Sequence, residues 1–463
     1  MFFRQYYIGC LSHASYLVGD TSSGEAVVVD PQRDVAEYLA DAEANGLRIV
    51  KVIETHFHAD FLSGHLELAE RTGAAIVYGR AAEGRAEFPI ETYADRELIS
   101  LGEVELEIRE TPGHTPESIS IVVWPQGRGV GEPYGVLTGD TLFIGDVGRP
   151  DLLAAFDLSA DDLARSLYRS LHEQLMPLPD ATKVFPAHGA GTACGKNLST
   201  ETVSTIGEQR RTNYALGPMS EDDFVRIVTD GQPAAPAYFP YAAVRNRQAR
   251  PLFDDVHVEV TPLDLPGVVD RQRAGAIVVD ARDDLSFAAG HLRGSVNVGL
   301  GGRFAEYAGE VMAPGTPIVL VTDPGHEAEA TIRLARIGFD DVVGVLAEPE
   351  AQFVAHPDAV EPSSRLTRAQ LLERIDALTD LVVLDVRNAG ERAVGAIPGS
   401  VHIALPELLG RIGELDPALP TVVYCEGGYR SSIAASLLRS RGFTDVSDLL
   451  GGYSAWSTMA GVA

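Results

Sequence analysis

An α/β fold in several domains is the class this sequence predicts, and three observations predict it. The chain has 463 residues, 45% of them hydrophobic and 22% charged, enough for about three globular domains of roughly 150 residues. Short continuous Val/Ile/Leu runs alternate with amphipathic helical stretches, the pattern of parallel strands covered on both faces. The second half also contains a duplication. AIVVDARDDLSFAAGHLRGSVNVGL from Ala276 matches LVVLDVRNAGERAVGAIPGSVHIAL from Leu381, so that Asp280, Gly294 and Ser295 face Asp385, Gly399 and Ser400 at one constant offset. A unit of roughly a hundred residues is too long for a solenoid repeat and reads as a duplicated domain.

Taken in chain order, the first part reads as strands SYLVGD and AVVVD, a helix DVAEYLADAEANG and a strand IVKVIET. Strands ELEIRE, SISIVVW and GVLTGD follow, then helices at LSADDLARSLYRSLHEQL and LSTETVSTIGEQRR. The Pro- and Ala-rich piece QPAAPAYFPYAAVRNRQARP, from Gln232, breaks the periodicity and is the best linker candidate. Beyond it, IVVD and IVLV belong to one copy of the duplication and VVLD and TVVY to the other, each set alternating with a helix such as AEATIRLARIGF or SSIAASLLRSRGF. Each copy is therefore expected to be a small doubly wound α/β domain. The domain limits expected are 1–246, a linker over 247–262, then 263–358 and 364–463.

A formal charge of −29 disfavours nucleic acid and anionic membrane surfaces as partners, since phosphate would be repelled over most of the surface. No run reaches the roughly 18 apolar residues of a membrane helix, and MFFRQYYIGC lacks the features of an export signal. Only Cys10, Cys194 and Cys425 are present, too few for a disulfide framework and suited to a reducing compartment. A cytoplasmic location is expected. Cys10 reads as an inward strand residue and Cys194 as a small packing residue with a possible second role in sulfur handling. Arg210 and Arg211 read as a solvated face.

The stretch THFHADFLSGH, Thr55 to His65, carries His56, His58 and Asp60 at alternate positions, with Phe61 where another metal-binding side chain could have stood. His114 in TPGHTPES, Asp140 in LTGDTLF and His188 in FPAHGAG each follow a strand-like run beside Gly or Pro. One such residue would read as a capping or hydrogen-bonded loop group; the whole set points to a metal. In the last domain, TVVY runs into CEGGYRSS and a helix. A strand, a Gly-containing turn and a helix N-terminus gather backbone N–H groups around one point, which with Arg430 nearby favours a nucleophilic thiolate at Cys425. In the middle copy Thr322 stands opposite Cys425, so that copy cannot carry sulfur on a thiol; His291 and His326 there read as structural.

The first set resembles the metallo-β-lactamase superfamily, whose pattern HxHxDH, H, D, H matches His56, His58, Asp60, His114, Asp140 and His188, with Phe61 departing from it. The resemblance implies an αβ/βα sandwich with the site between its two sheets. In binuclear members the missing histidine helps hold the second metal, so its replacement by an aromatic ring argues against a binuclear hydrolytic site. Two imidazoles and one carboxylate with open positions suit non-haem Fe(II). TGDTLFIGDVGRPDL with THFHADF also resembles the persulfide dioxygenase branch. That implies one Fe(II) per chain on His56, His114 and Asp140, with His58, Asp60 and His188 as outer groups. LDVRNAGERAVGAIPGSVHI, the CEGGYR loop and GGYSAW resemble the rhodanese family. This implies a persulfide on Cys425, assisted by Arg430 and cradled by Glu426, Gly427, Gly428, Tyr429 and Ser431.

Together the resemblances imply oxidation of a low-molecular-weight thiol persulfide, of glutathione, coenzyme A or a similar thiol, by O₂ to sulfite, coupled to sulfane-sulfur transfer that forms or consumes thiosulfate. A homo-oligomer is expected. The rivals are a binuclear thioester hydrolase of the glyoxalase II kind and a non-catalytic sulfur carrier or sensor.

Overall fold

The computed structural model describes residues 1–152, 159–196, 198–258 and 260–458. They form two compact units, Met1–Gln232 with Phe239–His257, and Pro233–Tyr238 with Val258 onward.

In the first unit, one sheet runs in the order Phe2–Ile8, His13–Asp20, Glu25–Val29, Arg48–Ile53, Ala75–Gly79, Glu91–Tyr93. A second runs Ser204–Thr205, Lys183–Pro186, Gly135–Gly139, Ile119–Trp124, Glu105–Glu110, Leu98–Ser100. Alternation along each strand divides the side chains between two faces. Val18, Val27, Val29, Ile53 and Val77 of the first sheet thus meet Leu106, Ile108, Ile119, Ile121 and Leu137 of the second in one buried core. Their other faces are covered by helices: Val28 and Val52 pack with Tyr38 and Leu68, and Val122, Val136 and Val184 pack with Leu167, Leu171 and Phe224. The result is the αβ/βα sandwich that the resemblance implied. The predicted strands and the Ala36–Ala44 helix are present. Phe2–Ile8, which was not anticipated, pairs along its whole length with His13–Asp20. Cys10 lies buried in the turn between these strands rather than on a strand. Of the helix predicted from Leu158, residue 158 lies outside the described residues and the helix runs Ala160–Arg169.

The stretch 239–257 folds back on the metal motif. Asn246 Nδ2 donates to the carbonyls of His58 (2.8 Å) and Phe61 (2.7 Å), while its Oδ1 accepts from Ser63 N–H (2.9 Å). Arg250, inside the segment read as a linker, donates to both Glu67 oxygens (2.6 and 3.0 Å), and Arg33 adds a third bond at 3.1 Å. Burial alone would raise the Glu67 carboxyl, but Arg250 and Arg33 overcome it and hold the group below its ordinary range. Removing the charge strands two buried cations, so Glu67→Gln should destabilise the unit by about 3 kcal/mol or more. The depressed carboxyl makes the wild-type contribution complete above about pH 4.5 and lost as pH falls through the folded value. Urea titration at neutral and acid pH, followed by Trp124 fluorescence in a Trp456→Phe background, measures both effects.

The second unit contains two five-stranded parallel sheets of one topology. The middle sheet is ordered Pro262–Leu263, Val342–Leu346, Ile318–Val321, Ile277–Asp280, Val296–Asn297. The last is ordered Ser364–Leu366, Val446–Leu449, Thr421–Tyr424, Val382–Asp385, Val401–His402. Asp280 pairs with Val321 and Asp385 with Tyr424. Thr322 and Cys425, the next residues, therefore hold the same place in the two copies.

Candidate metal centre and sulfur loop

His56, His58 and Asp60 lie in the loop after Arg48–Ile53, His114 after Glu105–Glu110, Asp140 directly after Gly135–Gly139, and His188 after Lys183–Pro186. Each follows the carboxyl end of its strand, which brings the six residues to one edge of the sandwich; all are 5% exposed or less. The loop after Asp140 folds back so closely that a Cβ on Gly148 would come within 1.8 Å of the Asp140 carbonyl oxygen, so no larger residue fits there.

Candidate ligand atoms of His56, His114 and Asp140 lie within 4.8 Å of one another, as do those of Asp60, His188 and Cys194, and those of Asp30, Glu54 and His58. His114 Nε2 is 3.4 Å from Asp140 Oδ2, and His188 Nε2 is 3.4 Å from both Asp140 Oδ1 and Asp60 Oδ2.

The hydrogen bonds determine which ring nitrogen of each histidine carries a proton. His114 Nδ1 lies 2.9 Å from the Arg149 carbonyl, and His188 Nδ1 lies 3.2 Å from that of Ser12. A carbonyl only accepts, so in both rings Nδ1 holds the hydrogen and Nε2 keeps its lone pair. Thr55 Oγ1 donates to Asp30 Oδ2 (2.9 Å), so towards His56 Nδ1 at 3.0 Å it accepts, and His56 Nε2 also keeps a lone pair. His56 Nε2 and His188 Nε2 are buried with no hydrogen-bond partner among the described residues. Burial pushes His56 and His188 below the ordinary histidine range and His114 down to about 4. The three rings are therefore neutral and available as ligands.

His58 differs. Its Nε2 faces Asp30 Oδ1 at 3.0 Å and Glu54 Oε2 at 3.4 Å. Burial disfavours its charge, but Asp30 and Glu54 outweigh that and hold it well above the ordinary range. A nitrogen turned to two carboxylates holds a proton and is unavailable to a metal, while Nδ1 of the same ring is buried with no hydrogen-bond partner among the described residues. Asp30 adopts a positive φ of 50° and also accepts Thr55 N–H at 2.7 Å; such strain in a non-glycine residue is concentrated at functional sites. Neither Asp30 nor Glu54 was singled out in the sequence; their only signal was their position at the ends of AVVVD and IVKVIE. Phe61 is fully buried, its ring 4.4 Å from His58 and 4.1 Å from His13, centroid to centroid.

Asp60 and Asp140 are both pushed up to about 6 by burial, so each is poorly stabilised as an anion by the protein alone. A cation fits here: three imidazole lone pairs and two under-compensated carboxylates converge in one buried space. Cys194, read from sequence as packing, joins Asp60 and His188 there, and burial with Asp60 and Asp140 nearby pushes its thiol well above the ordinary range. Arg210 and Arg211 lie away from this space, paired with Asp180 and Glu208.

In the last domain, Cys425 is buried at the head of a turn that ends in Gly428, whose φ is 111°. Gly428 N–H donates to Cys425 Sγ at 3.1 Å, and the thiol approaches Ser431 Oγ at 3.6 Å. Tyr453 and Ser454 N–H occupy the carbonyls of Cys425 (2.7 Å) and Glu426 (3.0 Å). That approach requires Gly452, where a Cβ would come within 2.4 Å of the Cys425 oxygen. Glu426 accepts from Arg387 at 3.0 Å. Arg430 does not point its charge at the sulfur unopposed, because both of its terminal nitrogens bond Glu391, at 2.8 and 2.6 Å. In the middle copy, His291 is buried against Phe287, and His326 is exposed and paired with Glu329.

The metallo-beta-lactamase superfamily profile matches residues 8–188, and the rhodanese-like domain profile matches 267–348 and 367–459. The mitochondrial persulfide dioxygenase ETHE1 of Homo sapiens is 32% identical over 234 residues, covering 50% of this chain and 82% of that protein. A hydroxyacylglutathione hydrolase of Polaromonas sp. is 34% identical over 175 residues, covering 38% of this chain and 61% of that protein. The crystal structure of a metallo-beta-lactamase from Staphylococcus aureus, 32% identical, superposes with a TM-score of 0.67 over 74% of this chain and 98% of its own. The chain belongs to the metallo-β-lactamase superfamily, as a fusion in which a domain homologous to persulfide dioxygenases precedes two rhodanese-like domains.

Proposed function

We propose that the first domain oxidises the terminal sulfur of a low-molecular-weight thiol persulfide at a single Fe(II), and that Cys425 moves sulfane sulfur to or from that chemistry. The observation that carries this reading is the buried His56–His114–Asp140 cluster in a chain whose last domain presents a cysteine at a rhodanese-like turn. The overall change is RSSH + O₂ + H₂O → RSH + SO₃²⁻ + 2H⁺, and a Cys425 persulfide meeting sulfite would give the free thiol and thiosulfate. Iron, when bound, supplies the electron transfer to dioxygen that zinc cannot.

In this reading His56, His114 and Asp140 hold the ion. Arg149 and Ser12 fix the ring orientations of His114 and His188 through their carbonyls, and Asp30 fixes His56 through Thr55. His58 Nε2 is engaged by Asp30 and Glu54, while Asp60 and His188 stand beside the three proposed ligands. In the last domain, the Gly428 N–H steadies charge on Cys425 sulfur. Glu391 holds the Arg430 side chain in place, which makes Arg430 a positioning group for the turn.

The test is anaerobic metal analysis followed by oxygen-electrode assays with the persulfides of glutathione and coenzyme A, with sulfite and thiosulfate quantified. One iron per chain and oxygen-dependent sulfite release are expected. Activity without oxygen would sink the proposal.

A second reading has one observation in its favour. Cys194 groups with Asp60 and His188, so a thiolate could serve the second metal where Phe61 has replaced an imidazole. That would suit a binuclear thioester hydrolase. Under the iron reading, wild type binds one metal and Phe61→His gains capacity for a second. Two zinc ions in wild type, falling to one in Cys194→Ser, would establish the rival.

A further inference from the structure

The middle copy has Thr322 where the last copy has its thiol, yet it makes specific contacts with the part of the last domain that carries Cys425. The helix Tyr429–Ser440 begins directly after the Cys425 turn. Tyr429, Ser432 and Ser436 lie on one face of it, at i, i+3 and i+7. All three bond the middle copy. Tyr429 OH donates to the Gly299 carbonyl at 2.6 Å, and its ring packs edge-on against Tyr307 with centroids 5.4 Å apart. Ser432 Oγ donates to Asn297 Oδ1 at 3.1 Å, and Ser436 Oγ accepts from Asn297 N–H at 2.9 Å. Asn297, Ser432 and Ser436 are buried.

Asn297 is itself held rigidly. Its Nδ2 donates to the carbonyls of Asp280 and Arg282, at 3.0 Å each, within its own domain. Both amide hydrogens are therefore engaged, and Oδ1 is left to face the helix. The equivalent residue of the last copy, His402, turns its ring to its own domain and donates to the Arg387 carbonyl at 2.8 Å, so among the described residues its side chain does not repeat the Asn297 arrangement in the other direction. Tyr429 also directly follows Gly428, the residue whose N–H reaches Cys425 Sγ. Holding Tyr429 and the first turns of the helix holds that donor in line with the sulfur.

We propose that the cysteine-less domain is the positioning device of the sulfur site, with Asn297 and Tyr429 as the residues that set the approach of the Gly428 N–H to Cys425. The proposal rests on Cys425 as the sulfur carrier, but its geometry can be tested without that reading. Two rates are measured on the full-length reduced protein. One is alkylation of Cys425 by iodoacetamide, resolved by peptide mass spectrometry; the other is sulfur loading of Cys425 from glutathione persulfide. Tyr429→Phe removes only the hydroxyl and keeps the ring against Tyr307, and Asn297→Ala removes the amide. Each should slow both rates about tenfold, as misalignment of one well-placed donor does, without a matching fall in melting temperature. Ser432→Ala deletes the same contact from the opposite side and should act in the same direction, which keeps the test decisive if Asn297→Ala folds poorly. Rates within about twofold of wild type, or losses that simply track melting temperature, would overturn the proposal. If wild-type Cys425 alkylates but accepts no sulfur, the sulfur-carrier reading fails while the alkylation series still decides the positioning role.

Discussion

Replacing His114 with alanine should leave the first unit folded but unable to retain iron, with affinity reduced more than about a hundredfold and persulfide-dependent oxygen uptake lost. The ring supplies one of three clustered donors, and its Nδ1–H bond to Arg149 aims Nε2 towards Asp140. His58→Ala is the informative comparison, because His58 sits in the same motif but its Nε2 is turned to Asp30 and Glu54. That variant should keep stoichiometric iron and lose activity only through the disturbed loop. Metal analysis by mass spectrometry separates the two variants. Retention of iron by His114→Ala, or its loss from His58→Ala, would mean that the ligand set has been misassigned.

Cys425→Ser should abolish sulfur transfer, by more than about a thousandfold, since a hydroxyl is a far weaker nucleophile and cannot hold a sulfane sulfur. Oxygen uptake with ready-made persulfide should continue, because the proposed function gives the two chemistries to different residues. Thiosulfate formation measured beside oxygen consumption checks this. Loss of both activities would show that persulfide reaches the metal only by way of Cys425.

Much of the site was legible because its residues belong to local patterns. Alternate spacing in THFHADF and the placement of His114, Asp140 and His188 after strands picked out side chains that the fold gathers at one edge of the first unit. The constant offset between Asp280 and Asp385 likewise located Thr322 opposite Cys425, and the matching strand registers place them so. Arg430 was legible as a neighbour of the thiol, but its pairing with Glu391, 39 residues away, was not. Cys194 was read as packing because six residues of separation from His188 do not reveal which way a turn points its thiol.

From the sequence by itself follow the α/β class, the duplication, the copy that keeps its thiol, and the identities of the side chains able to bind a metal. Only the tertiary structure decides which nitrogen of His56, His114 and His188 keeps its lone pair, that His58 Nε2 faces Asp30 while Cys194 is brought beside Asp60 and His188, and that the helix after Cys425 is bonded by the neighbouring domain. The reason is physical: strand and helix periodicities act over a few residues and leave their mark in local order. Proton placement and charge compensation depend on partners such as Asp30 and His58, 28 residues apart, whose meeting is a product of folding.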